Sequence, residues 1–355
     1  MEGMVMLDFY KGKKVFITGH TGFKGAWLCK VLANAGAEIF GYSLEPEEKS
    51  LFKVAEIEKD VKSVYGDIRN FESLKKAFDE AQPEIVIHMA AQPIVRESYK
   101  NPRYTYETNV MGTINLLECI RLSNCVKSFL NVTTDKVYEN KELDRGYTEE
   151  DNLKGYDPYS NSKSCSELVT YCYQKSFLME KEIAVSTARA GNVIGGGDFA
   201  IYRIIPDCIR AAISGKDIEV RNPNSIRPYQ HVLEPLYAYL MIIEKQYNDI
   251  KYADCYNVGS DIDNCITTGK LTEIFCKLWG NGLKWVDKSD NGPHETKTLL
   301  LDCTKIKKTL GWKPRWNIEK AIKKVVEWTK CYSSDGDVRT CMDKQIEEFL
   351  SDSSL

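Results

Sequence analysis

The sequence predicts a doubly wound α/β fold, a parallel sheet with helices on both faces, joined to a smaller C-terminal lobe. Three observations carry this. Short apolar runs at residues 14–17, 84–89 and 128–132 read as strands buried on both faces, and stretches with helical periodicity stand between them. The first run passes directly into T-G-H-T-G-F-K-G and then into an apolar-periodic helix. The polar clusters fall where the runs end, the edge at which such a sheet collects its ligands. A chain of 355 residues, 43% of them hydrophobic, is long enough to divide a large core between two lobes.

Taken in order, residues 14–17 form the first strand and 26–34 a helix that closes at Gly36. Between them Gly19, Gly22 and Gly25 give G-x-x-G-x-x-G, which differs in its first gap from the usual dinucleotide fingerprint. The physical requirements are the same. The first glycine makes a tight turn, the second lets backbone approach a pyrophosphate, and the third lets the helix pack closely. This predicts a Rossmann-type dinucleotide site. The next strand, 38–42, runs into Ser43-Leu44-Glu45, so the acid expected to bind the adenosine ribose is missing. No arginine stands there to receive a 2′-phosphate, which favours NAD over NADP. A strand at 61–65 leads to Gly66-Asp67-Ile68 and a helix at 71–81. Strand 84–89 enters Ala90-Ala91-Gln92-Pro93, whose small residues would let a cofactor lie against the backbone, and one long helix at 99–122 leads to strand 128–132.

That strand opens the stretch around which the chain is organised. V-T-T-D-K-V-Y sets Thr133, Thr134, Asp135 and Lys136 at the strand end, and G-Y-D-P-Y-S-N-S-K follows after a polar insertion. Asp157 suits an N-cap and Pro158 the first helical position, where its missing N–H has no partner to lose. Tyr159 and Lys163 are then i and i+4 on one helix face. A lysine ammonium beside a phenol stabilises the phenolate, lowering the pKa of Tyr159 from its ordinary value of about 10 and making it usable as a base near neutrality. Alone, Y-x-x-x-K is a common chance spacing, and a half-buried tyrosine beside a solvated lysine is the plain alternative. Its meaning comes from the motifs around it.

The second lobe begins with residues 188–197, a strand entering A-G-N-V-I-G-G-G-D. Arg203 opens a helix that carries Arg210 and ends near Gly215, and Arg227 lies in R-N-P-N-S-I-R-P-Y-Q-H-V-L-E-P. Guanidinium groups pair with phosphate oxygens through two parallel bonds, which suits a nucleotide site. Gln230, His231 and Glu234 read as residues that hold this loop to the cofactor domain. A helix at 235–246, a strand at 255–259 and a helix at 271–278 follow; His294 and Glu295 could reach the nucleotide, with structural hydrogen bonding the even alternative. The expected division is 1–189 for the dinucleotide domain with 228–258 returning to it, 190–227 and 259–330 for the second lobe, and 331–355 for a terminal helix without an assigned role.

Several classes are excluded. A net charge of −3 with no basic arm argues against nucleic acid as a partner. No apolar run reaches about 18 residues and M-E-G-M-V-M-L-D has no signal-peptide layout, so a cytoplasmic location away from membranes is expected. The twelve cysteines are scattered singly, without C-x-x-C and with only four histidines, which predicts reduced thiols and no metal site.

In one order the chain carries T-G-x-x-G-x-x-G, G-D-I, H-M-A-A-Q, Asn109 in T-N-V-M-G-T, T-T-D-K and Y-x-x-x-K, and so it resembles the extended short-chain dehydrogenase/reductase family. K-V-F-I-T-G-H-T-G-F-K-G-A-W-L, A-A-Q-P-I-V-R, T-T-D-K-V-Y-E-N, D-P-Y-S-N-S-K, A-G-N-V-I-G-G-G-D and R-P-Y-Q-H-V-L-E-P-L are similar to the CDP-glucose 4,6-dehydratases within it, over residues 12–316. The resemblance implies NAD bound by Gly19, Thr21, Gly22, Phe23, Gly25, Asp67, Ile68, Ala90, Ala91, Gln92, Asn109, Tyr159 and Lys163. It implies a net dehydration of CDP-glucose: hydride leaves C4 as Tyr159 takes the O4 proton, water is lost across C5 and C6, and hydride returns to C6. Thr134 would bond O4 and Asp135 would be the acid for the C6 hydroxyl, which requires burial to keep it protonated. Where dehydratases acting on dTDP-glucose carry a glutamate as the C5 base, this chain has Lys136, which must be neutral to act so; a positioning charge is the alternative. Thr133 reads equally well as a plain strand-end hydroxyl. Asn192, Arg203, Arg227, Gln230 and His294 would bind the sugar nucleotide. Helices at 99–122 and 157–179 carry apolar positions on more than one face, and with the resemblance they predict a homodimer.

Other readings remain beside this one. A 4,6-dehydratase or 4-epimerase for a dTDP-, UDP- or GDP-linked sugar shares most motifs, but an epimerase needs neither C5 base nor C6 acid. A net sugar dehydrogenase would accumulate NADH. A protein that merely senses dinucleotides has no use for the tyrosine, lysine and acid together.

Overall fold

The structure, a computed structural model, describes residues 7–260, 265–289 and 299–352. Its centre is a seven-stranded parallel sheet built from β1 (Lys14–Thr18), β2 (Glu38–Ser43), β3 (Lys62–Tyr65), β4 (Ile85–His88), β5 (Ser128–Val132), β6 (Ala184–Ala190) and, after four short strands, β11 (Cys255–Val258). The order across the sheet is β11-β6-β5-β4-β1-β2-β3. The winding therefore reverses between β1 and β4, which opens a crevice at their C-terminal ends.

The apolar runs are explained by burial on both faces. Along β1, Val15 and Ile17 join one core while Phe16 joins the other. The first core is closed by α1 (Phe23–Asn34), α8 (Leu233–Asn248) and the terminal α12 (Val338–Ser351), through Trp27, Leu28, Leu236, Leu240, Ile346 and Phe349. The second is closed by α2 (Phe71–Ala81) and α5 (Gly112–Leu122), through Leu74, Phe78, Leu116 and Ile120. A third core, with Ile205, Ile209, Val220, Leu271, Phe275 and Ile322, belongs to α7 (Ile204–Ile213), β8 (Ile218–Val220), α9 (Thr268–Trp279) and α11 (Ile318–Ser333). Short strands β7 (Val193–Ile194) and β10 (Gln230–His231) pair in parallel and join the two regions.

Two expectations are corrected. The single helix at 99–122 is instead α3 (Val95–Lys100), then α4 (Pro102–Tyr106), a π-helical turn at Glu107–Met111, and α5. Pro102 cannot donate to the preceding turn and keeps Asn101 out of helical geometry, at φ −129° and ψ 64°. The helix expected at 26–34 begins at Phe23, because Gly22 in extended conformation is its cap. Asp157 does cap α6 (Pro158–Tyr173): its Oδ1 accepts from the Ser160 N–H at 3.0 Å.

The terminal helix has a structural place. Asp343 forms an ion pair with Lys30 at 2.5 Å, Arg339 donates to Asp60 at 2.6 Å, and Arg315 donates to the carbonyls of Phe349, Leu350 and Asp352 at the end of α12. Among the described residues no helix is long and apolar enough to cross a membrane.

Candidate active site

At the crevice, the turn after β1 needs its glycines. Gly19 has φ +76°, and a Cβ there would lie 2.7 Å from the backbone nitrogen of Ala90. A Cβ on Gly25 would lie 2.2 Å from the Gly19 carbonyl oxygen, so the start of α1 is pressed against the turn itself. Gly22 caps α1 without a side chain, and Phe23 begins it, so the first-turn N–H groups face an approaching anion. Where an acid was expected after β2, the hydroxyls of Ser43 and Thr21 bond each other at 2.8 Å, and Thr21 also donates to Leu44 O at 3.1 Å. The Asp67 carboxyl is lowered by Arg69, which grips both its oxygens. Ile68 is buried against Gly112.

The Ala90-Ala91-Gln92 segment is braced from behind. Thr18 Oγ1 accepts from the N–H of Ala90 at 3.2 Å. Asn109, in the π turn, accepts from Gln92 N–H at 2.8 Å and donates to Gln92 O at 3.1 Å and Ser162 Oγ at 2.9 Å. Its amide is thus engaged inside the protein, where it ties the β4 loop to α6. Gln92 in turn donates to Thr105 Oγ1 at 2.9 Å.

The strand-end turn and α6 meet as the spacing suggested. Lys163 is buried and donates through Nζ to Val132 O at 3.0 Å, at the end of β5. Tyr159 is 9% exposed, and its N–H donates to Ser98 Oγ at 3.2 Å. Thr134 donates to Asp135 Oδ1 at 3.0 Å, while Asp135 Oδ2 is buried with no hydrogen-bond partner among the described residues. Burial pushes the Asp135 carboxyl up, the condition for a proton donor, although Lys136, Thr134 and Arg227 pull the other way. Lys136 is half-buried beside it.

One electrostatic expectation is overturned. Tyr159 is not lowered by its helical neighbour: burial pushes the phenol up to about 12, against an opposing hydrogen bond from Thr134 and the charge of Arg203. Lys163 itself is pulled down to about 8 by burial, with Glu167 resisting. The spacing argument placed the two residues on one face correctly but left out the desolvation of both.

The second lobe brings cations to the same place. Arg203 and Arg227 both act electrostatically on this cluster, Arg203 on Tyr159 and Arg227 on Asp135. Arg203 is held by Asp198 at 2.9 Å. Asn192 is half-buried, and its carbonyl accepts from Gln230 N–H at 3.0 Å. Gln230 is buried and donates to Val258 O at 3.0 Å, so its side chain ties β10 to β11. His231 packs between Trp27 and Trp316, and Glu234 accepts from the N–H groups of Arg315 and Trp316. His294 lies outside the described residues.

Sequence reasoning missed several groups. Glu167, one turn beyond Lys163, accepts from Thr133, Thr187 and Arg189, so the Thr133 hydroxyl is engaged inside the protein. Its i+4 spacing from Lys163 was the available signal. Lys24, inside the glycine motif, is pulled down to about 7 by burial and by the charges of Lys163 and Arg203, with Asp135 opposing. No spacing rule points to it.

Comparison with known proteins follows the geometry. The family model described as GDP-mannose 4,6 dehydratase matches residues 16–325. The chain belongs to that family, within the extended short-chain dehydrogenase/reductases. It is 42% identical to the CDP-glucose 4,6-dehydratase of Salmonella typhimurium, over 98% of this chain and 99% of that one. It is 28% identical to a probable dTDP-glucose 4,6-dehydratase of Sinorhizobium fredii, over 89% of this chain and 92% of that one. Among solved structures it is similar to the NAD complex of dTDP-glucose 4,6-dehydratase from Bacillus anthracis (TM-score 0.75, 22% identity, 93% of this chain and 100% of that one). It is also similar to UDP-glucose 4-epimerase from Thermotoga maritima with UDP-glucose (TM-score 0.79, 20% identity, 90% and 99%). At these identities the structures speak for the fold.

Proposed function

We propose that this chain dehydrates CDP-D-glucose to CDP-4-dehydro-6-deoxy-D-glucose with NAD as a returned cofactor, a hydro-lyase step of deoxysugar biosynthesis. The observation that carries the reading is the 42% identity to a CDP-glucose 4,6-dehydratase along the whole chain. The buried, half-satisfied carboxyl of Asp135 supports a dehydration over an epimerisation, because an epimerase has no leaving hydroxyl to protonate.

NAD fits the residues present: the cleft at Gly19 has no room for a Cβ, and Gly22 leaves the start of α1 open to a pyrophosphate. Gly19, Thr21, Gly22, Phe23 and Gly25 would hold it, with Asp67, Ile68, Ala90, Ala91 and Gln92 along its length and Tyr159 and Lys163 at the reacting end. NAD when bound supplies the acceptor for the C4 hydride and its return to C6. Tyr159 takes the O4 proton, assisted by the Thr134 hydroxyl. The resulting ketone acidifies C5, whose proton goes to Lys136 while Asp135 gives its proton to the departing C6 hydroxyl as water, and the Lys136 proton goes back to C5 as the hydride reaches C6. Arg203, Arg227 and Asn192 bind the nucleotide diphosphate. Asn109 and Gln230 act from behind as braces.

A cytoplasmic homodimer completes the proposal. Met111, Leu122, Leu168 and Tyr171 of the π turn, α5 and α6 are 49%, 49%, 54% and 61% exposed, an apolar face suited to a second copy. The test of the function is a panel of CDP-, dTDP-, UDP- and GDP-glucose with NAD. Loss of one water from CDP-glucose at a kcat/KM well above the others supports the reading, and preference for another nucleotide replaces it.

A further inference from the structure

Arg96 follows the Ala90-Ala91-Gln92 segment and is not used by the mechanism above. Its position is fixed from two sides. On α3 it lies two residues before Ser98, whose hydroxyl accepts from the Tyr159 N–H at 3.2 Å, so α3 borders the start of the catalytic helix. Its guanidinium crosses the cleft to the other lobe and lies over the ring of Tyr202 at 5.2 Å. Tyr202 precedes Arg203, whose charge reaches Tyr159. Arg96 therefore bridges the mouth of the pocket, from the cofactor side to the nucleotide side.

Two features distinguish it from a surface arginine. Among the described residues no carboxylate pairs with Arg96, while Arg203 and Arg221 have Asp198 and Asp207. Tyr202 is held at φ +65°, an uncommon conformation for a side-chain-bearing residue; the residue is 45% exposed, and a second guanidinium, Arg221, lies over its ring at 5.8 Å. An arginine stacked on an aromatic ring keeps its N–H edge free for an anion, because the ring occupies its face. Arg96, Arg203 and Arg221 thus give the cleft mouth a concentration of positive charge with one unpaired fork.

We propose that Arg96 is a substrate-binding residue that grips the diphosphate of the sugar nucleotide from the cofactor side of the cleft, with the Tyr202 ring presenting its guanidinium. This rests on the reading of the substrate as a nucleoside diphosphate sugar. Hydrogen bonds to charged groups of this kind correspond to a roughly 10- to 100-fold change in affinity.

The test compares wild type with Arg96→Ala and Tyr202→Ala by calorimetric titration with CDP, cytidine and NAD, alongside thermal melts and KM for CDP-glucose. The expected result is a tenfold or greater loss of CDP affinity and a matching rise in KM for Arg96→Ala, with cytidine, NAD and the melting temperature unchanged. Tyr202→Ala moves CDP in the same direction. Unchanged CDP affinity in Arg96→Ala overturns the proposal, as does a parallel loss for cytidine and NAD, which would mark a packing defect. If wild type binds CDP but does not turn over CDP-glucose, the reaction assigned above fails while the comparison at Arg96 still decides the contact.

Discussion

The guanidinium of Arg189 forks the carboxylate of Glu167, Nε to Oε1 and Nη2 to Oε2 both at 3.0 Å, with the side chains 4% and 3% exposed. Thr187 donates to the same carboxylate at 2.7 Å and Thr133 donates to it as well, while Arg189 also donates to Tyr138 Oη at 2.9 Å. The pair therefore welds β6 and α6 to both ends of the turn that carries Thr134, Asp135 and Lys136. Removing one partner strands a buried charge, at a cost of about 3–5 kcal/mol. Glu167→Gln and Arg189→Met should each lower unfolding stability by about that amount in urea titrations, and the double variant by less than the sum. Singles within about 1 kcal/mol of wild type would show that the pair is not structural.

Tyr159→Phe should lower kcat by about 10²–10⁴-fold, the range for a positioned general base, without disturbing the fold. The charge of Lys163 is present below about 8 and lost above it. If that charge holds the cofactor beside Tyr159, kcat/KM falls as pH rises through about 8, and the limb disappears in Lys163→Met. A profile flat to pH 9.5 would separate Lys163 from the chemistry.

Asp135→Asn keeps an acceptor for Thr134 but has no carboxyl proton to give. Oxidation at C4 should proceed while elimination slows by about 10²-fold. Absorbance at 340 nm then rises toward one equivalent per site and stays, where wild type shows only a small steady level. Wild-type behaviour in this variant would remove Asp135 from the acid role.

His88 is buried between Thr18 Oγ1 at 2.7 Å and Thr113 Oγ1 at 3.0 Å, and burial pulls it down to about 3. Its folded value lies below the ordinary 6.5, so its contribution is complete above pH 6.5 and is lost as pH falls toward 3. Each pH unit in that window costs about 1.4 kcal/mol. The stability advantage of wild type over His88→Gln should narrow by about 2 kcal/mol between pH 7 and pH 5. A constant difference would mean that His88 titrates normally.

The fold was legible because each strand and each capped helix is written locally: an apolar run for β1, Asp157 and Pro158 for α6. The break at Asn101 was missed because the apolar periodicity continues through Pro102, and a periodicity argument does not weigh one missing N–H. At the site, helical spacing correctly put Tyr159 and Lys163 on one face. It could not show that both are desolvated, that Asn109 turns inward to Gln92, or that Glu167 meets Arg189, since these depend on which elements pack together far apart in sequence.

The central claim is that hydride leaves C4 and returns to C6 of the same sugar. CDP-glucose carrying deuterium at C4, incubated with the protein and unlabelled NAD in ordinary water, tests it most directly. The account predicts a 4-keto-6-deoxy product that has lost one water and carries the deuterium on its C6 methyl group, as read by NMR and mass spectrometry. Dehydrated product with an unlabelled methyl group, or deuterium accumulating in free NADH, would contradict it.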